Sequence, residues 1–227
     1  FLLRRSGLVL SDNKQYLLEA RLVPLATRYE LRGLSELVMA LQTGREPDLE
    51  REVVEEMTTN ETFFMRDRTP FEDFQFKLLP GLLQARRLPH ALRIWSAACS
   101  SGQEAYSLAM LLHEAMPDIK QWRIEIIGTD INQKILQRAK TGVFSQLEVQ
   151  RGLPINLLVK YFTKVDDGFE VKPHLRDMMQ WKQFNLLDDF RSFGQFDVIF
   201  CRNVLIYFDA VAKTDILNRL HQQLPND

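Results

Sequence analysis

The 227-residue chain predicts an α/β fold: a Rossmann-like, doubly wound parallel sheet behind an all-helical N-terminal domain, with a small antiparallel β-subdomain inserted late. Three observations predict it. No strand pattern of any length precedes residue 91, and the apolar residues there recur at helical spacing. From Ala91 onward short apolar strands alternate with helices as β-α-β-α, the signature of parallel crossover units. Around residues 141–177 the alternation stops and a hairpin pattern replaces it. The expected boundaries are 1–57 for the helical domain, 58–90 for a linking segment and helix, and 91–227 for the sheet domain, with the insert at 142–177.

Each element has its own reason. Phe1–Arg5 reads as helix interior and lacks the apolar core and cleavage site of a signal peptide. Lys14–Leu31 carries Leu17, Leu18, Ala20, Leu22, Leu25 and Ala26 on a helical period, with Ser11 or Asp12 as N-cap and Pro24 as a kink point. Ser35 opens a helix over Leu34–Leu41 that Gly44 and Pro47 close. Asp48–Met57 starts acidic, as the helix dipole prefers. Phe71–Leu83 is a fourth helix, broken near Pro80-Gly81. Strands then fall at Ala91–Ala98 and Arg123–Thr129, trailed by helices at Glu104–Met116 and Ile131–Lys140. In the insert, Tyr161–Val165 and Phe169–Lys172 flank an Asp-Gly turn at Asp166-Asp167-Gly168. Met179–Phe184 and Phe196–Cys201 return to the sheet, and Ala210–Leu220 is the helix after it. Four strands make a short sheet of this kind, so a truncated C-terminus is expected.

Bulk properties exclude several classes. A net charge of -1 gives no global field for nucleic acid or membrane, so an electrostatic partner surface must be local. No apolar run approaches the roughly 18–20 residues that span a bilayer. Cys99 and Cys201 both end predicted strands and read as small buried thiols of a reduced, cytoplasmic protein. No metal site is expected.

The chemistry points to the carboxyl ends of the strands. Trp95-Ser-Ala-Ala-Cys-Ser-Ser-Gly-Gln-Glu104 ends a strand in small residues and starts a helix at once, with free N–H groups at its start. Ile126-Ile-Gly-Thr-Asp130 ends a second strand on an acid, where one carboxylate can accept both ribose hydroxyls. G-x-G-x-x-G is absent, so the pair suggests a nucleoside cofactor without phosphates, and S-adenosylmethionine is the obvious one. Bland readings compete: the loop as an empty strand–helix turn, Asp130 as the N-cap of the next helix. Asn185-Leu186 and Arg202-Asn203 end the other strands; Asn185 also fits plain loop polarity, and Arg202 is costly there unless paired. Tyr207 sits in an aromatic pair that core packing also explains. Thr58-Thr-Asn-Glu-Thr-Phe-Phe-Met-Arg66 suits a helix N-cap at Thr59 or Asn60, which leaves Arg66 beside two Phe residues unexplained. Lys14, Arg21 and Arg28 recur every seven residues with Arg32 a turn further, a solvated face or a docking face for an acidic helical partner.

Together these segments resemble the bacterial chemotaxis receptor methyltransferases, the CheR family. The resemblance rests on TTNETFFMR at 58–66, WSAACSSGQEAYSLAM at 95–110, GTDI at 128–131, FNL at 184–186 and FDVIFCRNVLIYFD at 196–209, in family order. Gln103 and Ala105 stand where the family commonly has an acid and a proline, and the carboxylate at Glu104 is kept. The resemblance implies methyl transfer from S-adenosylmethionine to glutamate side chains of chemoreceptor cytoplasmic helices, leaving S-adenosylhomocysteine and γ-glutamyl methyl esters. It assigns Asn60, Thr62, Arg66, Glu104, Asp130, Asn185, Leu186, Arg202 and Asn203 to the cofactor pocket. The reaction, an in-line attack by an ionised carboxylate that must be oriented, selects Arg66 to hold the substrate carboxylate, with Tyr207 as the second candidate. The resemblance also implies receptor docking by Lys14, Arg21, Arg28 and Arg32 on an acidic methylation region, and a β-subdomain that in some members tethers a receptor C-terminal peptide. A cytoplasmic monomer that neither binds nucleic acid nor inserts into membrane is expected. The rival readings are a small-molecule methyltransferase, a cofactor-binding signalling module without turnover and, with the glycine pattern missing, a nicotinamide dehydrogenase.

Overall fold

A computed structural model describes residues 1–10, 14–44, 46–88 and 90–225. The N-terminal helices are α1 (Leu2–Ser6), α2 (Gln15–Arg28), α3 (Leu34–Thr43) and α4 (Pro47–Met57). They close on their own core of Leu22, Leu25, Ala26, Leu37, Leu49, Val53 and Met57, the apolar positions that the helical period singles out. The proposed caps Ser11 and Asp12 lie outside the described residues. α3 is entered from Gly33 rather than opened by Ser35, and Gly44 ends it in a left-handed turn. Pro47 starts α4 instead of closing α3, because a first-turn proline loses no helical hydrogen bond.

The linking segment 58–63 forms neither helix nor strand, and the helix expected from Phe71 starts two residues earlier, at Thr69. α5 (Thr69–Asp73), a π-helical turn (Phe74–Leu78) and α6 (Leu79–Ala85) run on without the break predicted at Pro80-Gly81. The wide turn absorbs the proline: Leu79 N–H bonds back to Phe74 O, and Pro80, which has no N–H, begins the next α-turn.

The sheet is parallel throughout, in the order β6-β2-β1-β7, from β1 (Ala91–Ala97), β2 (Arg123–Asp130), β6 (Met179–Gln183) and β7 (Val198–Cys201). Alternate residues feed two layers, as expected of strands covered on both faces. Ile94 and Ile126 face α7 (Gln103–Ala115), α5 and the π turn; Trp95 and Ile127 face Phe190, Phe193, Phe196 and Ile216, the last on α12 (Ala210–Gln222). α8 (Gln133–Thr141) follows β2 and is capped by Asn132, whose side chain accepts from Ile135 N–H at 3.1 Å. Asp130 is therefore not its N-cap.

The insert holds a three-stranded antiparallel sheet, β3-β5-β4, made of β3 (Val143–Phe144), β4 (Phe162–Val165) and β5 (Gly168–Val171). Its turn is Asp166-Asp167, because Gly168 already pairs with Val165. A side chain at Gly168 would strike the Phe144 backbone, so glycine there serves the close approach of β3. Three short helices also lie in the insert: α9 (Gln146–Gln150), α10 (Ile155–Tyr161) and α11 (Pro173–Arg176).

Candidate active site

Parallel strands end together, so the segments after Ala97, Asp130, Gln183 and Cys201 meet at one edge of the sheet. They enclose a cleft of about 1010 Å³, its mouth included. Its lining contains Asn60, Thr62 and Arg66 from the linking segment, Glu104 from the first turn of α7, and Asp130 from the end of β2. Asn185 and Leu186 follow β6, Arg202 and Asn203 follow β7, and Tyr207 lies on the short 3-10 turn beyond. All ten residues singled out for cofactor or substrate carboxylate thus face one cavity. Lys14, Arg21, Arg28 and Arg32 lie away from it.

Asp130 is 7% exposed. Its two oxygens accept from Ser100 N–H at 2.9 Å and Asn132 N–H at 3.0 Å, which ties the loop after β1 to the end of β2. Burial raises its pKa, and the backbone N–H groups oppose that rise. The Ile131 N–H also bonds this carboxylate, and of its about four lone-pair sites one remains for a ligand hydroxyl. Glu104 accepts from Ser96 Oγ at 2.8 Å and Arg202 Nη1 at 3.0 Å. Burial lifts its pKa too, against the pull of the Ser96 hydroxyl, Arg202 and Arg66. A buried carboxylate and a half-buried one at a strand-end cavity suit a ligand with vicinal hydroxyls and a cationic group. The backbone lacks a glycine-rich phosphate cradle. That donor set fits S-adenosylmethionine.

Arg202 is paired, as its position demands. Besides Glu104 it donates through Nη2 to Arg66 O at 2.7 Å and Asp67 Oδ2 at 2.8 Å. It thereby fastens a turn with unusual backbone: Met65, Asp67 and Arg68 all have positive φ. Ala98, Ser100 and Asn203 do as well, so three of the eight non-glycine residues with positive φ among the described residues line this cavity, and three more flank Arg66. Arg66 Nη1 donates to Glu61 O at 2.6 Å, and its guanidinium lies 5.5 Å from the Phe63 ring centre. The N-cap reading of Thr59 or Asn60 fails, since residues 58–63 lead into no helix; the Asn60 carbonyl instead accepts from Ser100 Oγ at 2.8 Å.

Asn185 lies in the wall, but its amide is engaged elsewhere. It donates to Arg5 O at 2.6 Å and accepts from Leu187 N–H at 3.0 Å, the loop-building use of an asparagine. The first contact shows what sequence reasoning missed: Ser6 and Leu8, beside α1, line the cavity. Val9 N–H donates to Tyr207 O at 2.9 Å, and a side chain at Gly7 would strike Phe208. Gly7 was the available signal, a left-handed stop after a five-residue helix. Cys99 also borders the cavity; burial raises its thiol pKa well above the ordinary value, and that of Cys201 to about 12, which favours the thiol over the thiolate.

The basic stripe divides. Arg21 turns inward and donates to Glu56 O at 3.2 Å and Thr58 O at 2.8 Å, holding the linking segment. Arg28 pairs with Glu52 and Glu56, while Arg32 falls beyond the end of α2 and pairs with Glu36.

A family model described as "CheR methyltransferase, all-alpha domain" matches residues 1–58, and one described as "CheR methyltransferase, SAM binding domain" matches residues 60–227. The chain is 42% identical over 229 residues to "Chemotaxis protein methyltransferase Cher2" of Pseudomonas putida, covering 99% of this chain and 82% of that protein. It is 44% identical over 228 residues to "Chemotaxis protein methyltransferase 1" of Pseudomonas aeruginosa, with the same coverage. Against the "Chemotaxis protein methyltransferase" of Borreliella burgdorferi the identity is 34% over 226 residues, covering 97% of this chain and 80% of that protein.

Proposed function

Because this chain belongs to the CheR methyltransferase family, the S-adenosylmethionine-dependent enzymes that methylate chemoreceptors in chemotaxis, we propose that Arg66 orients the receptor glutamate that accepts the methyl group. The observation that carries this reading is the position of Arg66: a guanidinium on the cavity wall, on a turn held by the same Arg202 that binds the Glu104 carboxylate. When bound, the cofactor supplies a methyl group activated on a sulfonium sulfur. Glu104 offers its carboxylate to the cationic methionine end, Asp130 accepts from a ribose hydroxyl, and Leu186, with Asn185 behind it, walls the base. Asn60, Thr62 and Asn203 close the cavity from the linking segment and β7.

A glutamate side chain is ionised at neutral pH, so its attack on a methyl group needs no proton removed. No histidine lines the cavity among the described residues, as such a reaction allows. The work left to the protein is placement: holding a carboxylate in line at contact distance and keeping water out. Tyr207, held through its backbone by Val9, flanks that position. Arg66→Ala should lower methyl transfer from labelled cofactor to a chemoreceptor cytoplasmic fragment on the order of 100-fold, with cofactor affinity within a few-fold of wild type. Near-normal transfer would remove Arg66 from this role. Base-labile release of labelled methanol would identify the product as an ester.

The receptor's acidic methylation region meets the helical domain at Lys14, Arg28 and Arg32; Arg21 supports the linking segment from within. The enzyme acts in the cytoplasm as a monomer. No helix among the described residues is long and apolar enough to cross a membrane.

A further inference from the structure

Arg151 follows α9 in the β-subdomain, outside the cavity. It nevertheless grips the same two residues as Arg66. Its Nη2 lies 2.7 Å from Glu61 Oε1, and its guanidinium sits 4.4 Å from the Phe63 ring centre. Arg66 holds the Glu61 carbonyl at 2.6 Å and stands 5.5 Å from the same ring. The next residue, Gly152, has φ 84° and lies so close to the Phe64 carbonyl that a side chain there would collide with it. Phe64 in turn packs edge-on against Phe144 and Phe162 of the subdomain, at 5.0 and 5.6 Å. The subdomain is thus seated along residues 61–64, the stretch that leads into Arg66.

We infer that Arg151 is a positioning residue for methyl transfer: by holding the Glu61 carboxylate and the Phe63 ring, it keeps the Arg66 guanidinium available to the substrate carboxylate. This rests on the assignment of Arg66 made above. The physical argument is competition. Glu61 is the acid beside Arg66, and a carboxylate without a partner takes the nearest guanidinium. Arg151 occupies it. Without Arg151, Glu61 turns to Arg66 and becomes an internal rival of the substrate glutamate, while one of the two cations leaves the Phe63 ring. The ion pair itself is exposed, 54% and 56% at its two side chains, so its loss perturbs geometry rather than folding.

The test compares wild type, Arg151→Ala and Arg151→Ala/Glu61→Gln. The measurements are kcat and KM for a receptor cytoplasmic fragment, cofactor affinity by calorimetry, melting temperature, and the nitrogen-15 NMR signal of Arg66 Nε–H in the protein without substrate. The single variant should lose about 10- to 100-fold in kcat, with melting temperature and cofactor affinity unchanged and the Arg66 signal shifted. The double variant should regain most of both the rate and the signal position, since the neutral amide no longer competes. An unmoved Arg66 signal in Arg151→Ala overturns the inference whatever the activity. So does a rise in receptor KM at constant kcat that Glu61→Gln leaves in place, which would make Arg151 a direct receptor contact. A wild-type protein that binds cofactor but transfers no methyl to the receptor fragment would refute the role of Arg66 instead, and the NMR comparison would still decide whether Arg151 controls its pairing.

Discussion

Arg202 holds three partners with one planar fork: the Glu104 carboxylate, the Asp67 carboxylate and the carbonyl of Arg66. Lysine offers a point charge and cannot span them. Arg202→Met strands the Glu104 carboxylate, 13% exposed, without its counter-charge. It should cost about 3 kcal/mol in urea unfolding and release the turn that carries Arg66. The two acids of the cavity also set a pH dependence. Burial raises the pKa of both Glu104 and Asp130. A carboxyl with a higher pKa in the folded chain than in the unfolded one favours the protonated form, so the stability it costs is greatest at neutral pH and is relieved as pH falls through the raised value. A bound ammonium and a ribose hydroxyl favour the ionised forms, so cofactor affinity should rise with pH across that interval and level off above it. Calorimetric titration at several pH values checks this, and affinity that falls with rising pH would refute it. Much of the site was legible because strand ends are legible: an acid or a small-residue loop after an apolar run carries its own location. Ser6 and Leu8 were not, because only the tertiary path of the chain brings them to the cavity. The bond that the Asn185 amide donates to Arg5 depends likewise on a neighbour 180 residues away.

At the scale of elements, α8 is the joint between the two cores. Its first N–H groups need acceptors. Asn132 supplies one from its own strand end, and Glu55 of α4 supplies another by accepting from Gln133 N–H at 2.9 Å. The Asn132 amide returns the contact, donating to Glu55 O at 3.2 Å and Thr58 Oγ1 at 2.9 Å. Asn132→Ala should therefore cost about 2 kcal/mol in chemical denaturation, a cap and a buried junction lost together. A cost below about 0.5 kcal/mol would mean that the helix start is solvated instead. The same region separates what local sequence encodes from what it does not. α7 was plain, and so was α4 from Asp48 onward, although its first residue, Pro47, read as a stop for α3. The helices of the insert were too short for a period, although Ser145 and Glu148 form a capping box that the sequence spells as S-x-x-E. Pro80 misled because proline breaks an α-turn, whereas a π turn ahead of it gives the ring room.

Taken whole, the molecule builds its cavity from pieces far apart in sequence: Ser6 and Leu8 by α1, the linking segment, and all four strand ends. A ligand seated there touches both cores at once, so it should stabilise the whole chain and not the sheet alone. S-adenosylmethionine at 100 times its Kd should add about 2.7 kcal/mol and raise a single cooperative melting transition. A ligand-dependent shift in only one of two resolved transitions would show that the cores melt separately. The turn at Met65–Arg68 adds a separate weak point, since its backbone is strained and is kept in place by Arg202 and by the Met65 N–H bond to Ser107 Oγ. Such a segment opens at lower cost than the sheet does. For anyone hardening this enzyme for use at elevated temperature, the consequence is practical. Better helix surfaces or fuller packing would lift the melting point and leave the working temperature where it was, until the turn itself is redesigned.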